Sequence, residues 1–416
     1  MIPDFVNRNL LVLFICQMIF VGGAVLVTTV GGLVGHALAS RPSLATLPVA
    51  VMVIGTASAT IPASLVMQRV GRRMGFFLAA TIAATGGGIF VLALAEQSFV
   101  LFCTGAGLVG ASMGFSQQFR FAAAESVSTD RVSHAVSFIL LGSIAGGFIG
   151  PELVARAAEA DAEAPYALAF ELLIALYAIA GILLLGLKRT DSAESEESEG
   201  ETPRPIPEII TQPVFVTAVL AAVVGQGIMT YVMTATPISM SVKHEFPVQL
   251  TSEVIRAHVI AMYLPSLVTP FLISRLGLRI MMAIGATAMA VTIGIGLAGH
   301  HLMHYWSALV LLGIGWNFLF VSATSQLVAS YRPSERYRAQ AINDFSVFGM
   351  SAAASLMAGV VLFELGWTTL LLSTVPVLLL LLFAILWERR RTGSAPVRSG
   401  TSTTADPSTS RDHENE

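Results

Sequence analysis

The decapeptide SLVMQRVGRR, residues 64–73, joins two long apolar stretches through a short basic turn. A second turn of the same kind, SRLGLR at residues 274–279, joins two apolar stretches in the second half of the chain. Glycine and arginine take matching places in the two turns, which contain Arg69, Gly71, Arg72 and Arg73 in one half and Arg275, Gly277 and Arg279 in the other. Because a turn of the same kind occurs once in each half of the sequence, we predict a chain built from two similar halves.

The composition predicts a polytopic membrane protein. Of 416 residues, 55% are hydrophobic and 12% charged, and the mean hydropathy is +0.75, well outside the range of soluble proteins. Stretches long enough to cross a bilayer as helices recur along the whole chain. We predict twelve of them, at residues 9–33, 43–67, 74–96, 99–125, 133–155, 165–187, 213–239, 252–273, 280–299, 305–330, 338–363 and 367–387.

The polar segments between and after these spans set the predicted domain limits. Residues 1–187 form one six-helix bundle and residues 213–387 the other. Residues 188–212, which are acidic and contain prolines, read as a flexible cytoplasmic linker. Residues 388–416, rich in Ser and Thr, read as a disordered cytoplasmic tail.

The distribution of basic residues predicts the topology. Lys and Arg concentrate in the loops on one side, together with the linker and both ends of the chain, whereas the other side carries few. Such loops are cytoplasmic by the positive-inside rule. We therefore expect both termini in the cytoplasm, and a multi-pass protein of a bacterial inner membrane, surrounded by lipid.

With its duplicated six-helix plan and its basic turn, the chain resembles the major facilitator superfamily. That family's signature for the turn is Gly-x-Leu-Ala-Asp-Arg-x-Gly-Arg-Arg; here Ser64 replaces the first glycine and Gln68 replaces the aspartate. The resemblance implies two bundles that rock around a site near the bilayer midplane. The resemblance also implies that the family's aspartate helps to latch the two bundles together in the outward-facing state, so the gating contacts of this chain must differ in detail.

Two pairs of soft ligands occur on consecutive predicted spans. Met229 and Met233 stand four residues apart on the seventh, and His258 and Met262 stand four apart on the eighth. That spacing places each pair on one helix face, one turn apart. Thioether sulfur and imidazole nitrogen favour Cu(I), although histidine also binds Cu(II). Methionine in an apolar helix commonly only fills space, so each pair alone is a weak signal.

Together the pairs and the stretch TATPISM, residues 234–240, resemble the copper importers of the CcoA type. That resemblance implies import of copper for cytochrome oxidase assembly, with copper as the transported substrate and a cytoplasmic copper chaperone as a candidate partner. The same subfamily contains importers of riboflavin, so a small organic solute is the alternative cargo. A drug exporter is a third reading, but the exporter order Gly-Pro-Gly-Gly is reversed at residues 146–151, where Gly-Gly precedes Gly-Pro.

Further soft ligands lie at the predicted outer end of the second bundle. They are Met240, His244, His300, His301 and His304, which could capture a metal ion before it enters. A solvated loop whose histidines bind nothing is the other reading.

Polar residues within predicted spans are candidates for substrate binding or gating because desolvating them is costly. These candidates are Arg120, Gln117, Trp316, Asn317, Asn343 and Asp344. Arg120 needs a carboxylate partner, for which Glu125, Glu171 and Asp344 are available. Trp316 with Asn317 could stack against and hydrogen-bond a flat ring such as a flavin.

Several function classes are not indicated. The sequence contains no phosphate-binding loop, no CxxC pair and no nucleophile elbow. We therefore expect a transporter that is not an enzyme, holds no cofactor, binds no nucleic acid, acts as a monomer and runs on an ion gradient or downhill.

Overall fold

The first half of the chain folds into six helices. A computed structural model describes residues 6–40, 44, 47–160, 165–188 and 203–392. Within the first half the helices are α1 (Arg8–Leu38), α2 (Leu47–Ala95), α3 (Phe99–Ser116), α4 (Phe119–Ala124), α5 (Val132–Ala160) and α6 (Pro165–Leu185).

The second half repeats this plan with more interruptions. Its helices are α7 (Ile206–Ile210), α8 (Pro213–Ile238), α9 (Val248–Tyr263), α10 (Thr269–Leu276), α11 (Leu278–Ala298), α12 (Leu302–Val328), α13 (Arg336–Glu364), α14 (Gly366–Leu372) and α15 (Val375–Thr392). Helix α7 lies inside the predicted linker, whose residues 189–202 fall outside the described part of the chain. Helix α15 continues five residues into the predicted tail, and residues 393–416 are likewise outside that part.

Glycine breaks the backbone at both basic turns. Helix α2 has 49 residues, a length of about 74 Å at 1.5 Å per residue, which is enough for two crossings of a bilayer. Its backbone leaves the helical region at Gly71, where φ is 80°, and Gly277 between α10 and α11 has φ of 83°. Because these φ values favour glycine, the shared Gly of the two turns has a direct structural cause.

The number of crossings agrees with the prediction of twelve. Ten described helices are long and apolar enough to span, and α9 with α10 forms a further span bent by 53°. Helix α2 accounts for two crossings, so the described segments supply the twelve-helix, two-bundle architecture.

One large apolar cluster lies in the first bundle, and a second lies mainly in the second bundle but includes residues of α4 and α5. One core draws on α1 to α6, with Phe20, Phe76, Phe90 and Phe170 among its fully buried side chains. The other centres on α12, which packs against α8, α9 and α11. The bundles meet where α2 packs on α13 and where α5 packs on α9, α10 and α12, and α4 also packs on α12.

Candidate functional site

An ion pair buried between the halves lies at the centre of the site. Arg120 on α4 donates through Nη2 to Oδ1 of Asp344 on α13, and the two side chains are 4% and 0% exposed. Asn343 donates to the same oxygen at 2.9 Å. Asp344 is therefore the carboxylate partner of Arg120. Glu125 pairs with a different arginine, and Glu171 is an exposed residue of α6, so neither of these two candidates serves.

The Arg120 guanidinium is enclosed by aromatic rings. Its central carbon lies 4.7 Å from the ring centroid of Phe121 and 4.6 Å from that of Phe320. Such contacts favour a cation in a poorly solvated position. The Nε and Nη1 atoms are buried and have no hydrogen-bond partner among the described residues. Two donors of this arginine are therefore left uncommitted.

Gln118 connects this pair to a second polar network. Its Nε2 donates to Oδ2 of Asp344 at 3.1 Å and to the hydroxyl of Ser64 at 3.0 Å, while its Oε1 accepts from Nη1 of Arg72 at 3.1 Å. The side chain is fully buried. One amide, at the break between α3 and α4, thus connects α2 to α13.

The second network closes the face that carries the basic turns, here called the inner face. Arg72 donates to Glu125 at 2.9 and 2.6 Å and to Gln340 of the other half at 2.8 Å. Gln340 in turn donates to Glu125 at 3.1 Å and to the hydroxyl of Tyr331 at 2.6 Å. Arg336 of the second half adds an ion pair with Glu125 at 3.7 Å.

Electrostatics favour the charged form of Glu125 in this network. Burial on its own would raise the pKa of Glu125, but the charge and hydrogen bonds of Arg72, helped by Arg336 and Gln340, hold the pKa below its ordinary value. The carboxylate therefore stays ionised while the inner face is closed.

An aromatic wall rises above the central ion pair. Trp316 stacks on Phe320 with ring centroids 4.7 Å apart, and Tyr263 meets Trp316 edge to face at 5.7 Å. The indole Nε1 of Trp316 donates to Oε1 of Gln226 at 2.8 Å. In this wall of Tyr263, Trp316 and Phe320, Tyr263 is half-buried, as is the neighbouring Gln226, whereas Trp316 and Phe320 are buried.

Asn317 does not share that role. Its Nδ2 donates to the carbonyl of Met262 and the hydroxyl of Ser266, both at 2.7 Å, and its Oδ1 accepts from Thr269 at 2.7 Å. The side chain is fully buried and holds the break between α9 and α10. Its side-chain amide is thus engaged within the second half, and a role of Asn317 in substrate binding stays a prediction.

His258 is buried against α12, with 0% of its side chain exposed. Its Nδ1 lies 2.7 Å from the carbonyl oxygen of Leu309. Because a carbonyl can only accept, Nδ1 carries the proton and Nε2 keeps a free lone pair. Nε2 is buried, and no residue in the described part of the chain hydrogen-bonds to it.

The methionines of the two predicted ligand pairs belong to the apolar core that centres on α12. Met229 and Met262 are buried in it, and Met233 packs at its edge. Helix α12 stands between α8 and α9, which have no extended contact with each other in the described chain. Consecutive spans are thus not neighbours here, and a shared copper site of Met229, Met233, His258 and Met262 stays a prediction.

The outer candidates separate into exposed and buried residues. His244 and His300 stack with ring centroids 4.3 Å apart, and His301 and His304 approach at 5.8 Å. Burial, followed by the charges of His244 and His304, lowers the pKa of His300. Met240 is fully buried. Among the described residues, no three His, Cys, Asp or Glu side chains are placed to hold a metal ion.

The basic turns differ in what their arginines contact. Arg72 joins the inner network, whereas Arg279 donates to Glu388 at 2.9 Å within the second half. Arg69 and Arg73 are exposed, and Arg275 lies over the ring of Phe271 at 4.1 Å. Gln117 ends α3 and is half-buried beside Gln118.

The structure brings four residues into the candidate site that were not among the site residues predicted from the sequence. Two of them, Gln118 and Gln340, make hydrogen bonds between the halves. Gln226 accepts from Trp316, and Tyr331 accepts from Gln340. The available signal was the cost of a glutamine within an apolar span, which applies to Gln118, Gln226 and Gln340.

Comparison with known proteins identifies relatives along nearly the whole chain. Residues 13–254 match the family model of the Major Facilitator Superfamily. The riboflavin transporter RfnT of Brucella anthropi is 35% identical over 389 residues, which cover 94% of this chain and 98% of that protein. The uncharacterized MFS-type transporter YddS of Bacillus subtilis is 31% identical, with 92% of each chain covered.

Solved structures share the fold at low identity. The proton:xylose symporter XylE superposes with a TM-score of 0.74 at 14% identity, covering 92% of this chain and 96% of that one. An outward-facing bacterial homologue of the iron transporter ferroportin gives a TM-score of 0.70 at 12% identity, covering 93% and 100%.

Proposed function

The chain belongs to the major facilitator superfamily, and from that premise we propose that it imports riboflavin or a closely similar flat heteroaromatic solute. Import takes place across a bacterial inner membrane by alternating access. The Met and His pairs make copper the first candidate cargo and riboflavin the alternative. The proposal reverses that order, because the organic solute has the support of a full-length relative at 35% identity.

The observation that carries the proposal is the aromatic wall. Trp316, Phe320 and Tyr263 offer ring faces and edges in stacking geometry, and Gln226 fixes the indole by accepting its N–H. Flat aromatic ligands gain affinity from such surfaces, with a few polar groups setting orientation. A metal ion alone would make no use of this wall.

The polar networks supply the alternating access. With Arg72, Glu125 and Gln340 in contact, the inner face is closed and a solute can reach the wall only from the opposite side. Release to the inside requires these bonds and the Arg120–Asp344 pair to break together, because both join the two halves. Solute binding offsets part of that cost by drawing the halves together above the site.

The test is uptake of radiolabelled riboflavin into proteoliposomes containing the purified chain. We expect saturable uptake by the wild type and a loss of at least about tenfold in Trp316→Ala, since a stacked aromatic residue in a binding site contributes roughly 1–3 kcal/mol when its hydrogen bond is also lost. Trp306→Ala is the matched control, because Trp306 lies on the same helix but is 42% exposed, against 4% for Trp316.

Absence of riboflavin uptake in the wild type, at matched protein incorporation, contradicts the proposed cargo. Equal uptake by the Trp316→Ala and Trp306→Ala proteins contradicts the site. Growth of a riboflavin auxotroph on low external riboflavin provides the same comparison in cells.

Copper import is the second candidate, favoured by the free lone pair on His258. A buried imidazole Nε2 without a partner, one helical turn from the thioether of Met262, is suited to a soft cation. Its test uses the same vesicles with copper held in the Cu(I) state. Uptake of copper that His258→Ala abolishes and riboflavin does not inhibit would replace the first proposal.

A further inference from the structure

We infer that Gln17 on α1 binds a hydroxyl-bearing substituent of the transported solute, through the side-chain atoms Oε1 and Nε2, while the ring of the solute lies against the aromatic wall. This inference rests on the proposed function and adds a residue that selects among flat solutes by their substituent. The wall belongs to the second half of the chain and Gln17 to the first. A solute held by both therefore spans the boundary between the bundles.

The sequence of α1 singles out Gln17. Within residues 10–27 it is the only side chain that carries an amide or a charge. A polar group in an apolar membrane span is costly to desolvate, so such a residue is a functional candidate. Its Nε2 donates to the hydroxyl of Ser143 on α5 at 3.0 Å. A glutamine amide has two N–H donors and an acceptor oxygen, so this bond leaves Oε1 and one N–H available to a ligand.

The Gln17 amide is directed to the boundary between the halves. Its partner Ser143 is 2% exposed, and the hydroxyl of Ser143 interacts with the hydroxyl of Tyr263 on α9 in the opposite half. Helix α5 packs on both α1 and α9. Gln17 itself is half-buried. Because its partner lies between the two halves, the amide points toward the wall rather than toward lipid.

The distance between Gln17 and the wall favours contact with a substituent over contact with the ring. Tyr263 forms one end of the wall, and beyond its hydroxyl come first Ser143 and then Gln17. Each of these steps is a hydrogen-bonding distance of about 3 Å. A ring in contact with Tyr263 therefore stops short of the Gln17 amide, and a flexible group attached to the ring has to cover the remaining distance.

Hydroxyl groups match the chemistry at this end of the wall. Gln17 and Ser143 are uncharged, and each can both donate and accept a hydrogen bond. An alcohol has the same two capacities. A carboxylate can only accept and an ammonium group can only donate, and either would bring a charge into a poorly solvated region. We therefore expect the preferred substituent to be a polyol chain, such as the one that riboflavin carries.

Equilibrium dialysis of the purified full-length chain tests the inference with two ligands. Riboflavin carries a flat ring system and a sugar-alcohol chain, whereas lumichrome is a flat ring system without the chain. The variant Gln17→Met keeps the length of the side chain and removes its hydrogen-bonding atoms. Ser143→Ala removes the same bond between α1 and α5 but keeps the amide. Thr28→Val is the matched control, because Thr28 is exposed on the same helix and donates to the carbonyl of Ala24.

We expect the wild type to bind riboflavin about five- to tenfold more tightly than lumichrome, since a hydrogen bond in a poorly solvated site contributes on that order. In Gln17→Met, riboflavin should bind about five- to tenfold more weakly and lumichrome within about twofold of wild type, so the two affinities converge. Ser143→Ala should keep the preference for riboflavin, and Thr28→Val should leave both affinities unchanged.

Three results would overturn the inference alone. The first is equal affinity of the wild type for the two ligands, which decides the matter even if Gln17→Met does not fold. The second is a full preference for riboflavin in Gln17→Met. The third is an equal loss of both ligands in Gln17→Met and Ser143→Ala, which is what a purely structural bond between α1 and α5 produces. A wild-type protein that binds neither ligand overturns the proposed function and this inference with it.

Discussion

Gln118 donates its side-chain amide to the carboxylate of Asp344 across the boundary between the two halves, with 3.1 Å between Nε2 and Oδ2. The carbonyl of the same amide accepts from Arg72, which belongs to the network closing the inner face. The central ion pair and the inner closure therefore share one side chain. A change in either network alters the hydrogen bonding of Gln118 and thereby affects the other network.

Replacing Gln118 by methionine should weaken closure of the inner face. Methionine keeps the length of the side chain but removes hydrogen bonds that are buried, each of which stabilises by roughly 1–3 kcal/mol when its loss leaves a partner unsatisfied. We expect the population with an open inner face to rise about tenfold. Distances between spin labels at Gln68→Cys and Arg338→Cys, which are exposed positions in opposite halves, measure that population.

The control for this substitution is Gln117→Met, one residue earlier, where the half-buried side chain ends α3. An unchanged distance distribution in Gln118→Met, with Gln117→Met as reference, would show that the amide does not couple the networks.

Much of the fold could be predicted because it follows from local rules. The length of the apolar stretches predicted the number of membrane crossings. The glycine shared by the basic turns has a positive φ that other residues rarely adopt. The interruptions at residues 117–118 and 264–268 were not foreseen. They depend on side-chain hydrogen bonds from distant helices, such as those of Asn317 to Ser266 and Thr269, which no local pattern encodes.

The sequence names individual candidate residues but not how they are arranged. Burial cost identified Arg120, Asp344 and Trp316 from the sequence alone. Which carboxylate pairs with which arginine depends on how the halves meet, so the sequence left Glu125, Glu171 and Asp344 open as partners of Arg120, and the structure selects Asp344. Likewise the spacing of Met229, Met233, His258 and Met262 fixes their helix faces, but not the fact that α12 stands between the two helices.

Acid should open the inner face only well below neutral pH. Pairing holds the pKa of Glu125 below its ordinary value of 4.5 in the closed state, so the closed state keeps its full advantage above about pH 4.5. That advantage is lost as pH falls from there through the depressed pKa. We expect constant spin-label distances between pH 6 and 8 and a shift toward the open form below about pH 4.5.

Glu125→Gln should remove this dependence and favour the open inner face at every pH, by roughly 1–3 kcal/mol, less than for a fully buried ion pair because both partners are slightly exposed. Glu208→Gln, at an exposed position on α7, serves as control. An acid-induced shift that persists unchanged in Glu125→Gln would assign the titration to another group.

Gly313→Ala should destabilise the second bundle. A Cβ at residue 313 would lie 2.8 Å from the carbonyl oxygen of His258 and 2.9 Å from the backbone nitrogen of Met262, and neither backbone atom can move without shifting α9. We expect a loss of about 1–3 kcal/mol, as for other overpacked interiors, seen as a lower midpoint of thermal unfolding in detergent. Gly294→Ala, where a Cβ meets nothing within 4 Å, should leave the midpoint unchanged or slightly raised.

Asn317 and Gln226 are two intramembrane amides near the aromatic wall. We expect the substitution of one to lower stability and the substitution of the other to weaken ligand binding. Asn317→Leu removes three hydrogen bonds at the break between α9 and α10, so we expect a lower unfolding midpoint with unchanged selectivity among flat ligands. Gln226→Leu removes the acceptor that orients Trp316, so we expect near wild-type stability and riboflavin binding weakened several-fold. Thermal unfolding and equilibrium dialysis on the same preparations separate the two. If Asn317→Leu instead changed selectivity while keeping stability, Asn317 would belong to the binding surface and the break would be held by the backbone alone.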